Sequence, residues 1–404
     1  MVTRCEQILA LRRRRMEGAI PFLRGGFRPF FLGGAAWALI ALLLWIGALS
    51  GSITLPTHLD PLSWHRHEML FGFVGAVVAG FLLTAIPNWT GRLPIAGAPL
   101  GSLFGLWLVG RLALLFSAQL GALTTALADV GSFLVLTALA GREVLAAKNR
   151  NLPIVVLVLL FAISDAIDHA AAGGLIADNE LGFRTGIALV IFMISLIGGR
   201  IIPSFTRNWL AKQGVQNGLP TQPGQFDMLA IAISAAALAA WVGWPSQPVT
   251  GIVFLLAAAM QAARLVRWRG YRTVRDPLVV ILHLGYAWVP IGLVFLGLSV
   301  LTPEFPRSNA IHALTTGAMA SMILAVMTRA TLGHTGRELR ADGGTVAIYV
   351  LVTLGAALRV AAPWLPVDYL LVIKVSGLFW GAAFLFFLAC YGPKLLRARA
   401  DGKF

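Results

Sequence analysis

The chain alternates between long apolar runs and short segments that are polar or rich in turn-forming residues. An apolar helix of about 20 residues crosses the hydrocarbon core of a bilayer. Gly, Pro and polar residues separate the runs, as at residues 91–94 and 212–225. The pattern predicts twelve membrane spans, at residues 29–50, 64–87, 98–117, 120–140, 152–172, 183–203, 226–244, 249–268, 277–300, 309–331, 343–362 and 367–391.

These spans predict an all-α integral membrane protein. We expect a basic tail over residues 1–28, a single twelve-helix transmembrane domain over 29–391 and a second tail over 392–404, with both tails cytoplasmic. A cleaved signal peptide is the competing interpretation of the first apolar run. That run is about 20 residues long, against 7–15 in a signal peptide, and therefore favours an uncleaved helix.

Composition and charge agree with a membrane protein. Hydrophobic residues make up 58% of the 404 residues and charged residues only 12%, where a soluble domain carries roughly 25%. The net charge of +15 is not arranged as a basic stripe with interleaved aromatic residues, as a nucleic-acid partner would require. Of the 32 Lys and Arg residues, 26 fall in segments that are cytoplasmic if the N-terminus is inside, and three fall in outer segments. The positive-inside rule therefore supports that orientation and explains the charge without nucleic acid.

A weak internal repeat links three of the spans. Thr90, Thr206 and Thr335 lie at the inner ends of spans two, six and ten. When these threonines are aligned with one another, the residues at the outer ends of the same spans, His67, Phe183 and His312, also align. The spacing predicts three units of four helices. The alternative is chance recurrence of short apolar motifs.

Histidines supply the candidate chemistry. Five of the seven are predicted at the outer membrane face, namely His58, His65, His67, His169 and His312. His283 lies in the inner half of span nine, and His334 lies in the inner loop after span ten. Ionisable groups within membranes are costly and usually functional. Because the two cysteines form no CxxC motif, the cluster suits haem iron, copper or zinc bound by imidazole.

His67 and His312 are predicted at equal depth on separate helices, so a porphyrin would fit between them with one imidazole on each side. His65 points about 200° around the helix from His67. It would serve a neighbouring metal with His169, and copper is the candidate there; His283 is a further candidate ligand. The alternative is that these histidines are interfacial or structural. Zinc hydrolysis would need an HExxH pair, and HEMLF at residues 67–71 lacks the second histidine.

Charged residues within the spans are the next candidates. Arg111 and Asp129 lie at similar depths in the outer halves of spans three and four, which predicts an ion pair. Arg359 and Lys374 lie near the outer face in spans eleven and twelve. Haem propionates would bind such cations, with Arg111 and Arg359 as the main candidates. The alternative is snorkelling or a structural pair.

A second group of polar residues recurs at the inner ends of spans two, six and ten. Its members are Asn88, Trp89, Arg200, Arg207, Asn208, Arg329, His334 and Arg337. Interfacial tryptophans and cations at helix C-termini explain part of this pattern. The repeated Asn, Thr and Gly indicate either a small bound anion or a latch between loops.

Five segments together resemble the NnrS family. They are WHRHEMLFGF at 64–73, AGFLLTAIPNWTGR at 79–92, GGRIIPSFTRNWL at 198–210, LHLGYAWVPIGL at 282–293 and HALTTGAMASMILAVMTRATLGHTGR at 312–337. The resemblance implies a bacterial inner-membrane protein that contains haem b and copper and is linked to denitrification and nitrosative stress. The family's motif histidines match five positions here: His65, His67, His283, His312 and His334. The family pattern also leads us to expect Asn or a similar residue four positions before His169, where this chain has Asp165.

Three functions are consistent with these features. The first is redox handling or detoxification of nitric oxide at a haem or copper site near the outer face, with an unidentified electron donor. The second is a transporter with a polar path through Asp129, Asp165, Asp168 and His283, since transporters commonly contain repeats of this kind. The third is a sensor or a haem- or copper-handling factor without chemistry of its own.

Overall fold

The computed structural model describes residues 18–402, so tail residues 1–17 and the last two residues lie outside it. Within these residues, twelve helices are long and apolar enough to cross a membrane, and there is no strand. They are α1 (Phe27–Leu49), α2 (Pro61–Thr90), α3 (Ala98–Leu115), α4 (Ala122–Ala146), α5 (Leu152–Ala172), α6 (Leu181–Lys212), α7 (Gln225–Gly243), α8 (Pro248–Arg267), α9 (Pro277–Leu301), α10 (Arg307–His334), α11 (Gly343–Trp364) and α12 (Tyr369–Leu396). The predicted all-α, multi-pass membrane fold is confirmed.

Several helices extend beyond their predicted apolar runs because polar residues continue or cap them. The Asp60 carboxylate accepts hydrogen bonds from the amides of Leu62 and Ser63, so α2 begins at Pro61. At its other end, Gly91 has φ of +66° and stops the helix in a left-handed conformation. The apolar pattern marks the hydrocarbon core, and these local signals set the helix ends.

Contacts divide the chain into two compact units. The first unit contains the described residues up to Gly186, together with Ala330–Glu338 and the chain from Phe387. The second unit contains Ile187–Arg329 and Leu339–Phe386. The single domain over 29–391 and the three four-helix repeats stay predictions.

Two of the repeat-related helices, α2 and α10, share a local distortion. In α2 a π-helical turn, Glu68–Val74, directly follows His67; in α10 a π-helical turn, Ala313–Met319, directly follows His312. Each turn has a glycine five residues after the histidine, at Gly72 and Gly317. π-Helical turns are rare in proteins overall, and those that occur are often found at functional sites.

Candidate metal centre in the first unit

Four buried side chains in the first unit converge on one point. They are His67 of α2, Asp129 of α4, and Asp165 and His169 of α5. One nitrogen or oxygen atom from each lies within 4.8 Å of those from the other three. We refer to these four residues as the tetrad.

His67 connects the members of the tetrad. Its Nε2 lies 2.7 Å from Asp129 Oδ2 and 3.4 Å from Asp165 Oδ1. Its Nδ1 lies 2.9 Å from Asp168 Oδ2. Both ring nitrogens therefore face carboxylates, and the side chain is only 1% exposed.

The second imidazole comes from α5, where Asp165 and His169 are four residues apart and share one helix face. His169 Nε2 lies 3.2 Å from Asp129 Oδ2, the oxygen that also faces His67 Nε2. Both oxygens of Asp165 are buried and have no hydrogen bond among the described residues. A buried carboxylate normally has partners, so Asp165 is a candidate ligand for a cation.

A buried ion-pair network holds Asp129 from the side opposite His67. Arg111 of α3 donates to Asp129 Oδ1 through one guanidinium nitrogen and to Glu68 Oε2, at 2.7 Å, through another. The indole nitrogen of Trp37 also donates to Glu68 Oε2, at 2.5 Å. The predicted pair between Arg111 and Asp129 is present, and Arg111 is fully buried.

Close helix contact places Arg111 beside Asp129. A Cβ atom added at Gly110 of α3 would lie 3.1 Å from the Cα of Asp129. The absence of a side chain at Gly110 thus lets α3 and α4 approach closely, and the next residue along α3 carries the guanidinium. Gly72 plays a similar part in α2, because a Cβ there would lie 2.7 Å from a guanidinium nitrogen of Arg111 and would also collide with Glu68.

The charges in this region do not balance. The network contains four carboxyl groups, those of Glu68, Asp129, Asp165 and Asp168. Within the described residues, one guanidinium, that of Arg111, pairs with two of them, Glu68 and Asp129. With all four carboxyl groups ionised, even a doubly protonated His67 would leave two negative charges without a partner. Uncompensated charge is costly in a membrane interior, and a divalent cation would supply the missing two.

Aromatic side chains close the site on its membrane-interior side. The His67 ring lies 5.0 Å from that of Phe71, which in turn lies 5.1 Å from Phe161. Phe133 packs edge-on against Phe161, and all three phenylalanines are at most 2% exposed. Asp168, with 14% of its side chain exposed, is the carboxylate of the network nearest to solvent.

The other outer-face histidines lie outside the tetrad. His65 stacks on Trp45, with ring centroids 4.5 Å apart, so the structure groups His169 with His67 rather than with His65. The His58 backbone amide donates to the Ser117 hydroxyl in the loop before α2.

The second unit holds two more of the candidate ligands. The Thr206 hydroxyl lies 2.8 Å from His283 Nε2 and also 2.9 Å from the Ile202 carbonyl. His312 is partly exposed, and its Nδ1 lies 2.6 Å from the Ser308 carbonyl one helical turn earlier. Arg359 is half-buried, and its guanidinium lies 6.0 Å from the centre of the Tyr369 ring.

The inner motif residues form separate contacts. Asn149 donates to the Trp89 carbonyl at 2.5 Å, Asn88 bonds within its own helix, and Arg207 reaches the Pro220 carbonyl. Arg329 stacks on Phe205 at 4.0 Å, and Arg200 and Asn208 are exposed.

The segment after α12 contacts the inner end of α10 in the first unit. Arg399 donates to the His334 carbonyl at 3.1 Å, and the Ala400 amide donates to the Thr335 carbonyl. Arg337 bonds the same Thr335 carbonyl. The segment after α12 therefore fastens to the end of α10 through backbone carbonyls.

The donor set of the tetrad fits a transition-metal ion. Two imidazole nitrogens with two carboxylate oxygens suit copper, iron, zinc or manganese, and imidazole favours the first three. The orphaned carboxylate of Asp165 supports this fit. A porphyrin bound to His67 would displace Asp129 or Asp168, so the geometry around His67 favours an ion. Haem ligation by His67 and His312 stays a prediction.

Comparison with known proteins identifies the family of this chain. The sequence matches the NnrS protein family over residues 21–399, nearly its whole length, and the chain belongs to that family. Family membership supports a membrane protein linked to nitric oxide. No curated protein matches the sequence.

Sequence reasoning identified the histidines more readily than their carboxylate partners. Asp129, Asp165 and Asp168 were expected as parts of a polar path, and Asp129 also as the partner of Arg111. The available signal was the cost of placing three aspartates in apolar spans, which predicts that they share a cation.

Proposed function

We propose that this chain binds a redox-active divalent ion, for which copper is the best candidate, in the tetrad and uses it to handle nitric oxide. The observation that carries the proposal is the tetrad with its excess of buried carboxylates. Membership in a family linked to nitric oxide is the reason for proposing nitric oxide as the substrate. The bacterial inner membrane is the proposed location.

His67 and His169 would hold the copper ion, which when bound would supply one-electron redox chemistry toward nitric oxide. The protein fixes where that happens. Asp129 faces both imidazoles through one oxygen and Arg111 through the other, so its orientation is set from two sides. Phe71 and Phe161 exclude water from the membrane-interior side of the tetrad, and such an apolar surface suits a small, weakly polar gas.

Asp168 has a separate role in the proposal. It faces His67 Nδ1, the ring nitrogen directed away from Asp129, and it is partly exposed. A carboxylate bonded to the outer nitrogen of a ligating histidine fixes the ring and raises its basicity. Asp168 would therefore orient His67 for the ion and hold a proton at Nδ1.

Haem b is the second cofactor that we propose, with His312 as its candidate ligand. The support is the family resemblance and the partly exposed position of His312, since the tetrad accounts for His67. Arg359, half-buried near the outer end of α11, would bind a propionate. An electron donor would be needed for turnover.

Cation transport is the alternative that the same observation favours. Buried Asp and His residues in spans also mark ion paths and proton relays. In that case the tetrad would release its ion rapidly. A resident redox ion would instead remain at one per chain through purification.

The test is metal analysis of the purified full-length protein. We expect about one copper or iron per chain in the wild type and less than about a tenth of that in His169→Ala, because second-shell losses alone cost about 10–100-fold in affinity. His58→Ala is the matched control, since it removes an imidazole from the same face but outside the tetrad. Haem is quantified in the same samples, and metal-centred spectra are recorded with and without nitric oxide.

Equal metal content in wild type and His169→Ala would contradict the metal site. Retained metal whose spectrum ignores nitric oxide would contradict the nitric oxide role and leave the site intact. An ion that exchanges within minutes with added metal would favour transport.

A further inference from the structure

The turn between α8 and α9 in the second unit is unusually rich in arginine. Four of the nine residues from 267 to 275 are arginines: Arg267, Arg269, Arg272 and Arg275. Because the turn joins two spans, it lies where the membrane meets solvent, on the face predicted to be cytoplasmic. A short 3-10 helix, Gly270–Thr273, forms its centre.

Two of these arginines converge on one atom. Arg269 and Arg272 donate to the Gly218 carbonyl oxygen at 2.7 and 2.9 Å. Gly218 belongs to the loop before α7 and has φ of +68°, and a Cβ there would lie 2.5 Å from one Arg269 nitrogen. The two guanidinium groups are therefore neighbours, held together by a neutral acceptor.

No carboxylate in the described part of the chain neutralises this pair. Among the described residues, none of the four arginines is within ion-pair distance of Asp or Glu. The nearby acids are used elsewhere: Asp227 binds Arg264, and Asp276 caps α9 through the Leu278 amide. Each guanidinium has five N–H donors, and the Gly218 carbonyl takes one from each. Among the described residues, the other four donors of each guanidinium have no hydrogen-bond partner.

Exposed apolar side chains surround the cations. Val266, Tyr271 and Val274 are each 72% exposed; Tyr271 and Val274 lie among the arginines, and Val266 directly precedes them. Tyrosine is enriched where bilayers meet water, because its ring is apolar and its hydroxyl is polar. A free anion in water gains nothing from such a surface, whereas the acyl chain of a lipid does.

The turn that presents the arginines is fixed in place. Trp268 and Thr273 are buried, and the Thr273 hydroxyl donates to the Gly270 carbonyl. Gly270 packs so closely on the His283 ring that a Cβ would collide with its Cγ. Because the backbone is held on both sides, the arginines lose little freedom on binding, which favours affinity.

We propose that Arg269 and Arg272 form a binding site for the headgroup phosphate of an anionic phospholipid. The forked guanidinium groups match phosphate oxygens, and the bound phosphate would supply the negative charge that the turn lacks. Tyr271 and Val274 would lie against the glycerol and upper acyl region. The site belongs to the second unit and is independent of the tetrad.

The test uses full-length protein in neutral detergent, titrated with phosphatidylglycerol, with bound lipid per chain measured by native mass spectrometry. Phosphatidylcholine is the uncharged comparison, and inorganic phosphate is the free-anion comparison. We expect a preference for phosphatidylglycerol in the wild type. Arg269→Gln with Arg272→Gln should lower that affinity by about tenfold or more, because each basic residue contributes on the order of fivefold at an anionic membrane surface.

The matched control is Arg150→Gln with Arg340→Gln. It removes the same charge from two exposed arginines at the same predicted face, neither of which has a hydrogen-bond partner among the described residues. We expect less than a twofold loss. If the glutamine pair does not accumulate, Arg269→Lys with Arg272→Lys keeps the charge but not the fork, and it should weaken binding by about threefold or more.

Three results would overturn the proposal. They are unchanged lipid affinity in both arginine-pair variants, an equal loss in the control pair, and inorganic phosphate binding as tightly as the lipid. Metal content should be the same in the wild type and in all three double variants, so failure here is distinguishable from failure of the metal site.

Discussion

The two π-helical turns of this protein carry the same local signal in different surroundings. In α2 the turn after His67 brings the histidine among three aspartates and leaves it 1% exposed. In α10 the turn after His312 leaves the histidine partly exposed and bonded to the backbone carbonyl of its own helix. Each turn contains a glycine five residues on, and each glycine meets a large side chain.

The difference lies in the neighbouring helices. His67 receives Asp129 from α4 and Asp165 and Asp168 from α5. In the second unit, Gly317 faces the indole of Trp288, an apolar partner. A histidine and a distorted turn therefore make a place for a ligand, and the residues packed against them decide which ligand. The first unit favours an ion, whereas the turn of the second unit packs on an apolar indole.

The largest expected effect comes from removing the buried cation of the first unit. Arg111→Leu leaves Glu68 and Asp129 without their partner, which should destabilise the protein by about 3–5 kcal/mol. Arg359→Leu is the control from the second unit, where the guanidinium faces a tyrosine ring and should cost about 1 kcal/mol. Thermal unfolding in detergent measures both, and similar losses would show that the first unit's charges are not coupled.

The next effect separates the two histidines by cofactor. His67→Ala should lower metal affinity by more than about 100-fold, because it removes a direct ligand where second-shell changes cost about 10–100-fold. His312→Ala should leave that metal in place and lower haem content. Metal and haem are measured per chain in both. Metal loss in His312→Ala, or none in His67→Ala, would break the proposed division.

The two turn glycines provide a steric test. Gly72→Ala should destabilise by about 1–3 kcal/mol, since its methyl group would press on Glu68 and Arg111. Gly317→Ala should cost a similar amount, because its Cβ would lie 2.6 Å from Trp288 Cδ2. Gly131→Ala, in α4 with open space around it, is the control and should be neutral or slightly stabilising. A neutral result at both turns would mean that the glycines are not needed for close approach.

The smallest effect concerns the hydrogen bond that anchors Glu68. Trp37→Phe removes the indole donor and keeps most of the apolar volume, which should cost about 1–3 kcal/mol at a charged acceptor. Trp107→Phe is the matched control, since its indole donates to the uncharged Gly72 carbonyl and its loss should cost about 1 kcal/mol. A larger loss in Trp107→Phe would indicate that packing, and not the charge on Glu68, governs these positions.

Some contacts were predictable because they depend on depth alone. Arg111 and Asp129 lie at similar levels in successive spans, and helices joined by a short loop pack as neighbours. Asp165 and His169 share a helix face by their spacing. Contacts between residues distant in sequence were harder to predict, because no local sequence pattern indicates that His67 contacts Asp168 or that His65 stacks on Trp45. The lateral packing of helices decides such pairs, and hydropathy does not encode it.

The sequence by itself determined the twelve spans, because each must be apolar for about 20 residues to satisfy its backbone within lipid. The sequence also placed histidines and aspartates within the membrane spans. Because ionisable residues are costly there, their presence marks them as candidate functional residues. Only the tertiary structure decided that His67 joins His169 and not His65, because that depends on which faces of α2, α4 and α5 meet. The same packing gathered four carboxyl groups in a region where one arginine pairs with two of them, and that imbalance is the physical reason to propose a metal ion.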